Sequence, residues 1–422
     1  MTRLRGLTRD TFRSLHVRNF RLFFFGQFIS QVGNWLTMIA QTLLVFHITG
    51  SGVAVGFITA CQFGPTLVLG AWAGLVSDRS NKRRLLIIVQ TYAMVQSFLL
   101  AALAFMDEPP LAAFYVVAFL GGIAVAFDNP ARRSFVVEMV DEADVNNAVS
   151  LNSALMTCAR VFGPALAGLL ITTVGYGWTF AVDGLSYIAV IGAFLLMRTS
   201  ELRPGPVTER GKGQVREGFA YVRRIPELWI PLVMMAVIGT LAFNFQVVMP
   251  LFVKRTFDGD DSTFTWLFSV ISIGSFAGAL AMARRTTAGI REVVVASAAF
   301  GVSMLLLAVS PSLALAFPIG IAVGWSSIGF MVATTSIVQL RAAPEMRGRV
   351  LALQAIVFLG STPIGGPILG VICEAFGARV GLAVGGFAAL GAAAWGAWAA
   401  HRLPVRRGPV DEPAAAPELQ VA

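Results

Sequence analysis

Residues 22–77 read LFFFGQFISQVGNWLTMIAQTLLVFHITGSGVAVGFITACQFGPTLVLGAWAGLVS and contain no Asp, Glu, Lys or Arg. A bilayer core about 30 Å thick is crossed by about 20 apolar residues in a helix. This stretch therefore predicts two membrane-spanning helices, joined by a turn at Thr49-Gly50-Ser51-Gly52. The run is much longer than the apolar core of a cleavable signal peptide, so we expect its first helix to remain in the membrane.

The composition of the whole chain resembles that of this stretch. Of the 422 residues, 56% are hydrophobic and 13% are charged, and the mean hydropathy is +0.74. An ordinary soluble domain has about 25% charged residues. Ten further apolar runs lie near residues 85–106, 111–133, 149–172, 177–197, 228–253, 262–283, 292–309, 312–339, 350–373 and 379–401. We therefore predict an all-α membrane protein with twelve transmembrane helices.

The formal net charge of +9 could indicate a nucleic-acid partner. The positions of the basic residues along the chain indicate a different cause. If the N-terminus is cytoplasmic, all Lys and Arg residues fall in cytoplasmic segments except Arg160, Lys254, Arg255 and Arg379. This bias is the positive-inside pattern of membrane proteins. It predicts that both termini are cytoplasmic and that the chain binds no nucleic acid.

The longest internal hydrophilic segment divides the predicted spans six and six. In its second half, Phe219 and Val222 lie at helical spacing among arginines, which predicts a short helix at the membrane interface. The last twenty residues are rich in Pro and Ala, as is typical of disorder. The predicted domains are an N-terminal six-helix bundle (1–197), a cytoplasmic linker with the interfacial helix (198–227), a C-terminal six-helix bundle (228–402) and a disordered cytoplasmic tail (403–422).

Four short matches relate the two bundles to each other. They pair Gly70-Ala-Trp-Ala-Gly74 with Gly274-Ser-Phe-Ala-Gly278, Gly122-Ile-Ala-Val with Gly320-Ile-Ala-Val, Val136-Val-Glu-Met with Ile337-Val-Gln-Leu, and Gly163-Pro164…Gly168 with Gly366-Pro367…Gly370. All are displaced by about 200 residues, in the same order. Because transporters are often duplicated bundles with the solute site between them, the repeat predicts two pseudo-symmetric bundles and a site at their interface.

Polar side chains form stripes along two predicted spans of the first bundle. They are Gln27, Gln31, Asn34 and Gln41 in the first span, and Ser150, Ser153, Thr157, Arg160 and Pro164 in the fifth. Lipid cannot satisfy such groups, so the stripes should face protein or a water-filled cavity. They either line a solute path or form hydrogen bonds between helices. In the second bundle, Asn244, Gln246 and Gln354 are candidates for the opposite wall of the cavity.

Arg160 is the most informative single residue. A cation near the bilayer centre costs about 2.5 to 3.5 kcal/mol on insertion scales, so it should be paired or in contact with water. Asp183, in the sixth predicted span, is a candidate partner. Arg160 therefore either lines or gates the cavity, or belongs to a structural ion pair.

The turn after the second span reads Gly74-Leu-Val-Ser-Asp78-Arg79-Ser-Asn-Lys82-Arg83-Arg84. Positive-inside topology explains its basic residues but does not require Asp78. Gly74, one turn before Asp78, allows a neighbouring helix to approach, and Asp78 can accept charged hydrogen bonds across that contact. We expect a cytoplasmic gate here. Asp128, four residues before Arg132, either pairs with it within the helix or meets the basic turn, and we assign both residues to the gate.

This turn resembles a motif of the major facilitator superfamily, Gly-x-Leu-Ala-Asp-Arg-x-Gly-Arg-Lys. The matching residues are Gly74, Asp78, Arg79, Lys82 and Arg83, whereas Val76 and Asn81 depart from the motif. The resemblance extends over nearly the whole chain. With the repeat, it implies two six-helix bundles around a central cavity that opens alternately to each side. It also implies that the loop around Asp78 stabilises the outward-open state by closing the cytoplasmic side.

Within the superfamily the chain is similar to the bacterial exporters that include the enterobactin exporter and macrolide efflux proteins. The similar segments are Arg18-Asn-Phe-Arg-Leu-Phe…Asn34-Trp35, Asp128-Asn-Pro130-Ala-Arg132 and Arg160-Val-Phe-Gly163-Pro164-Ala-Leu-Ala-Gly168. The last resembles the fifth-span Gly-Pro motif of antiporters, which implies a helix-packing role for Gly163, Pro164 and Gly168. The resemblance implies export of a small organic solute, such as a drug or a siderophore, from a bacterial inner membrane.

The expected energy source is a proton gradient, with no bound cofactor and with the protein working as a monomer among membrane lipids. Many relatives have an Asp where this chain has Asn34, and Asn cannot titrate. The remaining candidate proton carriers are Asp183, Asp128 and Glu138, and uptake by symport stays open. A membrane receptor and a membrane-embedded enzyme are the alternatives from other classes. The three Cys and three His residues show no metal-ligand spacing.

Overall fold

The structure is a computed structural model that describes residues 12–203, 214–283 and 289–402. The start of the predicted N-terminal bundle, the middle of the predicted linker and the predicted tail 403–422 lie outside the described residues. The helices are α1 Arg18–Thr49, α2 Gly52–Arg79, α3 Lys82–Ala104, α4 Leu111–Glu138, α5 Val145–Leu195, α6 Gln214–Arg224, α7 Pro226–Leu241, α8 Phe245–Phe257, α9 Asp261–Ala283, α10 Ile290–Ala308, α11 Leu313–Arg341, α12 Pro344–Phe376 and α13 Ala378–His401. No strand occurs in these residues.

Helix α5 contains two membrane passes, because it reverses direction at Gly175. Its 51 residues would span far more than a bilayer core at 1.5 Å per residue. Gly175 has φ 85° and ψ 175°, a conformation that glycine adopts readily and a helix does not contain. Both ends of α5 lie beside the start of α1, since Ser14 N donates to Asn147 Oδ1 at 3.0 Å and Arg18 donates to the carbonyl of Leu196 at 2.9 Å. We call the parts before and after Gly175 α5a and α5b.

Helices α7 and α8 form one pass with a break in the middle. Asn244 lies at the break and donates to the carbonyl of Thr240 at 2.8 Å, which satisfies the end of α7. Eleven segments of the described residues are long and apolar enough to cross a membrane, and one of them is the α5 hairpin. The structure therefore contains the twelve passes predicted from the sequence.

The passes pack as two related halves of six. In each half the second pass packs on the fourth (α2 on α4, α9 on α11), and the third packs on the sixth (α3 on α5b, α10 on α13). Between the halves, the second pass of each packs on the fifth pass of the other, which gives the contacts of α2 with α12 and of α9 with α5a. This exchange of partners is the pattern of a pseudo-two-fold axis.

The sequence repeat corresponds to these contacts between the halves. A Cβ at Gly168 of α5a would overlap the side chain of Thr265 on α9. The repeat partner of Gly168 is Gly370 of α12, where a Cβ would overlap the backbone of Gly52 on α2. Small residues at both positions allow the backbones of the two halves to approach closely.

The linker helix α6 docks on the second half. Glu217 accepts a hydrogen bond from Arg349 at 2.7 Å, and the Tyr221 hydroxyl accepts one from the backbone N–H of Ala343 at 2.9 Å. These contacts hold α6 against the start of α12. Since α2 and α12 run antiparallel, the start of α12 lies at the same end of the molecule as Arg79. We call this the basic end, and the end that carries Gly50 and Glu374 the opposite end.

Candidate functional site

Polar contacts between the two halves close the opposite end. Arg255 of α8 contacts the carbonyl of Gly50 and lies 3.1 Å from Glu374 of α12. Glu374 accepts a hydrogen bond from the backbone N–H of Gly52 at 2.6 Å. The Tyr176 hydroxyl donates to Asp261 of α9, whose other carboxylate oxygen lies beside Lys254. Residues of both halves take part in each of these groups.

Apolar and mixed contacts continue this closure toward the middle of the molecule. The Trp35 ring of α1 lies 6.0 Å from the Phe268 ring of α9, and Gln246 of α8 donates to the sulfur of Met38 at 2.9 Å. At the basic end, Arg83 and Lys82 make polar contacts within the first half, and Arg341 and Arg349 pair with Glu227 and Glu217 on the side of the second half. The polar contacts described above between the halves lie at the opposite end and in the middle of the molecule, and this asymmetry indicates a space between the halves that opens toward the basic end.

One face of α5a lines this space. Phe162, Leu166 and Leu169 are 59%, 36% and 57% exposed and lie at i, i+4, i+7 spacing, which marks the face toward lipid. Ser153, Thr157 and Arg160 have the same spacing, and each precedes its counterpart in the first set by nine residues, or two and a half helical turns. They therefore lie on the opposite face, where Ser153 and Arg160 are exposed and Thr157 is half-buried.

Arg160 lies against an aromatic side chain rather than an acid. Its guanidinium carbon is 5.8 Å from the centroid of the Trp35 ring. Gly163, one turn further along α5a, lies against the Cβ of Trp35 and allows the helices to approach this closely. No described carboxylate forms an ion pair with Arg160.

The proposed pairing of Arg160 with Asp183 is wrong, because Asp183 faces a different set of helices. It is 0% exposed between α1, α3 and α5b. Its carboxylate accepts hydrogen bonds from Thr37 at 2.6 Å, from Ser97 at 2.7 Å and from Ser186 at 3.4 Å. Gly33 leaves the room for this carboxylate, since a Cβ there would overlap it. The acid is thus held by three hydroxyl groups.

The polar stripe of α1 lies largely inside the first half. Gln27 and Gln31 are buried, and the amide of Gln27 has no partner among the described residues. Asn34 accepts a hydrogen bond from the Tyr187 hydroxyl at 2.9 Å, and Gln41 donates to the carbonyl of Phe114 at 3.3 Å. Most of this stripe therefore contacts other helices, and Trp35 is the α1 residue that meets both Arg160 and the second half.

The three polar residues assigned to the second half occupy different positions. Asn244 is buried at the break between α7 and α8. Gln354 is also buried and donates to the Thr335 hydroxyl at 3.3 Å. Gln246 is half-buried and contacts Met38 of the first half. Of the three, Gln246 lies at the boundary between the halves.

The predicted gate residues lie at the basic end of the first half. Gly74 is buried and Asp78 is half-buried on the last turns of α2, and Arg79 is exposed. Lys82 forms an ion pair with Glu138 at 2.6 Å. Arg83 donates to the carbonyls of Phe194 and Leu195 at 2.6 and 3.3 Å, which satisfies the end of α5b.

Asp128 and Arg132 form an ion pair within α4 at 2.9 Å. The second oxygen of Asp128 accepts a hydrogen bond from Gln90 of α3 at 2.7 Å, and Gln90 in turn accepts one from Ser30 of α1 at 3.3 Å. Three helices of the first half are therefore linked near its basic end. Arg132 is 4% exposed, so this pair is enclosed by protein.

The fifth-pass motif lies at two helix contacts. Gly163 faces Trp35 of α1, Gly168 faces Thr265 of α9, and Pro164 is buried between them. Sequence reasoning missed Thr37, Ser97, Trp35 and the charged groups at the opposite end. Arg255 and Glu374 carried a usable signal, because they are charges at the ends of passes on the side that has few basic residues.

Comparison with known proteins agrees with this architecture. The sequence profile described as transmembrane secretion effector matches residues 9–419. The chain is 22% identical to the staphyloferrin A transporter of Staphylococcus aureus over 85% of this chain and 90% of that protein. It is 26% identical to the multidrug efflux pump Tap of Mycolicibacterium fortuitum (84% and 89%) and 22% identical to macrolide efflux protein A of Streptococcus pyogenes (82% and 88%).

Solved structures share the fold. A bacterial homolog of the human lysosomal transporter Spinster, in an inward-facing and occupied conformation, superposes with a TM-score of 0.73 at 16% identity, covering 93% of this chain and 97% of that one. A D-xylose-proton symporter superposes with a TM-score of 0.70 at 11% identity, covering 89% and 97%. The chain is a multi-pass membrane transporter rather than an enzyme, and it belongs to the transmembrane secretion effector family of the major facilitator superfamily.

Proposed function

We propose that this transporter exports a small organic solute by alternating access, driven by protons. The observation that carries the proposal is the exchange of partners between the halves, in which α2 packs on α12 and α5a packs on α9. Because the two contacts are related by pseudo-symmetry, rocking about them closes one end of the cavity as it opens the other. The structure then represents one of the two end states.

The basic end corresponds to the cytoplasm in this proposal. Basic residues favour the cytoplasmic side of a bacterial membrane, and the cavity opens on that side. The end state is therefore inward-facing, both termini are cytoplasmic, and the solute enters from the cytoplasm or a neighbouring leaflet. Two relatives named as efflux proteins support export as the direction. Both halves that form the site belong to one chain, which supports a monomer as the working unit.

Asp183 is the proton carrier in this proposal. It is enclosed at membrane depth by Thr37, Ser97 and Ser186, and a hydroxyl can donate to the carboxylate or accept from the carboxylic acid. Asp128, by contrast, is already engaged in an ion pair with Arg132 and in a hydrogen bond from Gln90. Helix α1 donates to Asp183 through Thr37 and contacts Phe268 of the second half through Trp35, so a shift of α1 during rocking would change the access of Asp183 to water. Proton entry can thus be linked to rocking of the halves.

Transport by purified protein in liposomes tests this function. When the vesicle interior is acidified, protein molecules whose cytoplasmic side faces outward should use the exit of protons to drive a fluorescent or radiolabelled solute into the vesicle against its gradient. A protonophore should abolish this accumulation. A panel of neutral, cationic and anionic organic solutes should be screened. Solute accumulation toward an alkaline interior would instead support symport, and accumulation that ignores the pH gradient would exclude proton coupling.

A further inference from the structure

We infer that the cavity recognises its solute through an anionic group, bound by Arg160, with an adjoining flat apolar part stacked on Trp35. The inference rests on the proposed transport function and adds the class of solute. It assigns to Arg160 a direct contact with the solute.

The first argument is the lack of an acid for Arg160. A cation in the middle of a membrane protein is normally paired with an acid or with backbone carbonyls. Arg160 makes only the contact with Trp35 among the described residues, and it is exposed on the face of α5a that lies away from lipid. A cation exposed at such a position takes its hydrogen-bond acceptors from water when no solute is bound. A solute that displaces this water must replace its hydrogen bonds, and an anion does so best.

The second argument is the set of donors that Arg160 keeps available. Its guanidinium carbon lies 5.8 Å from the Trp35 centroid, and a cation–π contact with one ring does not use up the five N–H donors of a guanidinium group. A guanidinium edge matches a carboxylate with two parallel hydrogen bonds.

The third argument is the charge of the surrounding walls. In the middle of the first half, the described carboxylates contact groups other than Arg160. Asp183 is 0% exposed among hydroxyl groups, and Asp128 is paired with Arg132. From the second half, Gln246 contributes a neutral group at the boundary between the halves. The described walls therefore hold a cation with no compensating acid, which repels a cationic solute and attracts an anion.

The fourth argument is the aromatic wall. Trp35 contacts Arg160 on one side and Phe268 of the second half on the other, with 6.0 Å between the ring centroids. A flat apolar group next to the anion can stack beside these rings. Because Phe268 belongs to the second half, a solute stacked on Trp35 lies where the two halves meet. Rocking of the halves then changes the site, as release of the solute requires.

Three naphthalene derivatives test the charge preference directly. We suggest 2-naphthoate, 2-naphthamide and 2-naphthylmethylamine, which share one ring system and differ in charge. Binding to the wild-type protein in lipid nanodiscs is measured by calorimetry at constant salt. The expected result is that 2-naphthoate binds about ten-fold or more tightly than the other two, the scale of one charged hydrogen bond. Equal binding of the amide, or tightest binding of the amine, would overturn the inference.

Variants then assign the preference to Arg160. Arg160→Gln should weaken binding of 2-naphthoate by about ten-fold or more and leave 2-naphthamide nearly unchanged. Arg160→Lys should keep part of the preference, because it retains the charge but not the planar fork. The matched control is Arg84→Gln, which removes an exposed charge at the basic end. If Arg84→Gln weakens naphthoate binding as much as Arg160→Gln does, the effect is one of net charge and the inference fails.

The test of the anion site can succeed or fail independently of the test of proton-driven export. Binding is measured without a pH gradient, so an anion preference that depends on Arg160 would stand even if proton-driven export failed. Conversely, proton-driven export of neutral or cationic solutes by wild type, unaffected by Arg160→Gln, would leave the transport function intact and overturn the anion site. Size-exclusion profiles and wild-type-like binding of 2-naphthamide show that each variant is folded.

Discussion

The carboxylate of Glu374 accepts a hydrogen bond of 2.6 Å from the backbone N–H of Gly52, and this bond joins the end of α12 to the first turn of α2. Such an N–H has no partner within its own helix, and the positive end of the helix dipole favours an anion there. Arg255 approaches the same carboxylate at 3.1 Å and contacts the carbonyl of Gly50. One acid therefore connects the two halves at the opposite end.

Removal of this charge should favour the alternative end state. Glu374→Gln keeps the shape of the side chain but weakens both the contact with Gly52 and that with Arg255. Since the ion pair is about one-third exposed, we expect a change of about 1 kcal/mol, or roughly five-fold in the ratio of the two states.

Electron–electron distances between spin labels measure this ratio. The labels are placed at the basic end on Asn146→Cys and Gln339→Cys, both exposed, in a protein whose native cysteines Cys61, Cys158 and Cys373 are replaced by Ala. Glu374→Gln should increase the population with a short distance. An unchanged distribution would show that this acid does not hold the end closed.

A bulkier residue at Gly168 should also disfavour the end state described here, in which the opposite end is closed. A Cβ at this position already overlaps Thr265, so Gly168→Val forces α5a and α9 apart. The same spin labels should report a closed basic end, together with reduced transport. Gly391→Val is the matched control, because a Cβ at Gly391 meets no atom within 4 Å. Equal effects of the two variants would attribute the change to general loss of helix stability rather than to the contact between halves.

Asp183→Asn should uncouple transport from protons. The amide oxygen of Asn can still accept hydrogen bonds from Thr37 and Ser97, so we expect the fold to persist. Because Asn does not titrate, accumulation of solute against its gradient should stop, while exchange of labelled for unlabelled solute continues. Asp107→Asn, in an exposed loop, is the control and should behave as wild type. Proton-driven accumulation that survives in Asp183→Asn would exclude this residue as the carrier.

Asp260 should stabilise the protein in a pH-dependent way. It precedes α9 and accepts hydrogen bonds from the Thr263 hydroxyl at 2.6 Å and from its backbone N–H at 2.8 Å, and these bonds hold the pKa of Asp260 below its usual range. Loss of such an N-cap costs about 1 kcal/mol, so Asp260→Ala should lower the melting temperature at pH 7.

The sign of the pH effect follows from the lowered pKa. The folded protein binds the proton more weakly than the unfolded chain, so this stabilisation is present above the ordinary pKa of Asp and is lost as the pH falls through the lower folded value. The difference in melting temperature between wild type and Asp260→Ala should therefore shrink below about pH 3.9. A difference that grew on acidification would contradict this assignment. Asp107→Ala provides the baseline for an exposed acid.

Much of the fold could be predicted because membrane insertion constrains the sequence directly. Each pass must be an apolar run of about 20 residues, so the run from Leu22 onward already indicates two helices. The gap between the predicted runs 149–172 and 177–197 also indicated the reversal in α5, which the structure places at Gly175. The break between α7 and α8, however, had to be seen in the structure, because it lies inside a single apolar run.

The candidate site was less predictable, since polar residues in a pass have two explanations. Helical spacing correctly grouped Ser153, Thr157 and Arg160 on one face, because spacing depends only on the helix repeat. It did not distinguish a face toward a cavity from one toward a neighbouring helix, and Gln27 and Gln31 are buried. Nor did it find the partners of Asp183, because Thr37 and Ser97 come from two other helices.

The sequence by itself determined that this chain spans a membrane in two related sets of six helices, because hydropathy and the Gly-containing repeat are local properties of the chain. Only the tertiary structure decided which end of the cavity is closed and which partners the buried charges have. Those features depend on distances between helices that are far apart in sequence. The hydrogen bond from Gly52 to Glu374 and the contact of Arg160 with Trp35 exist only once the helices have packed.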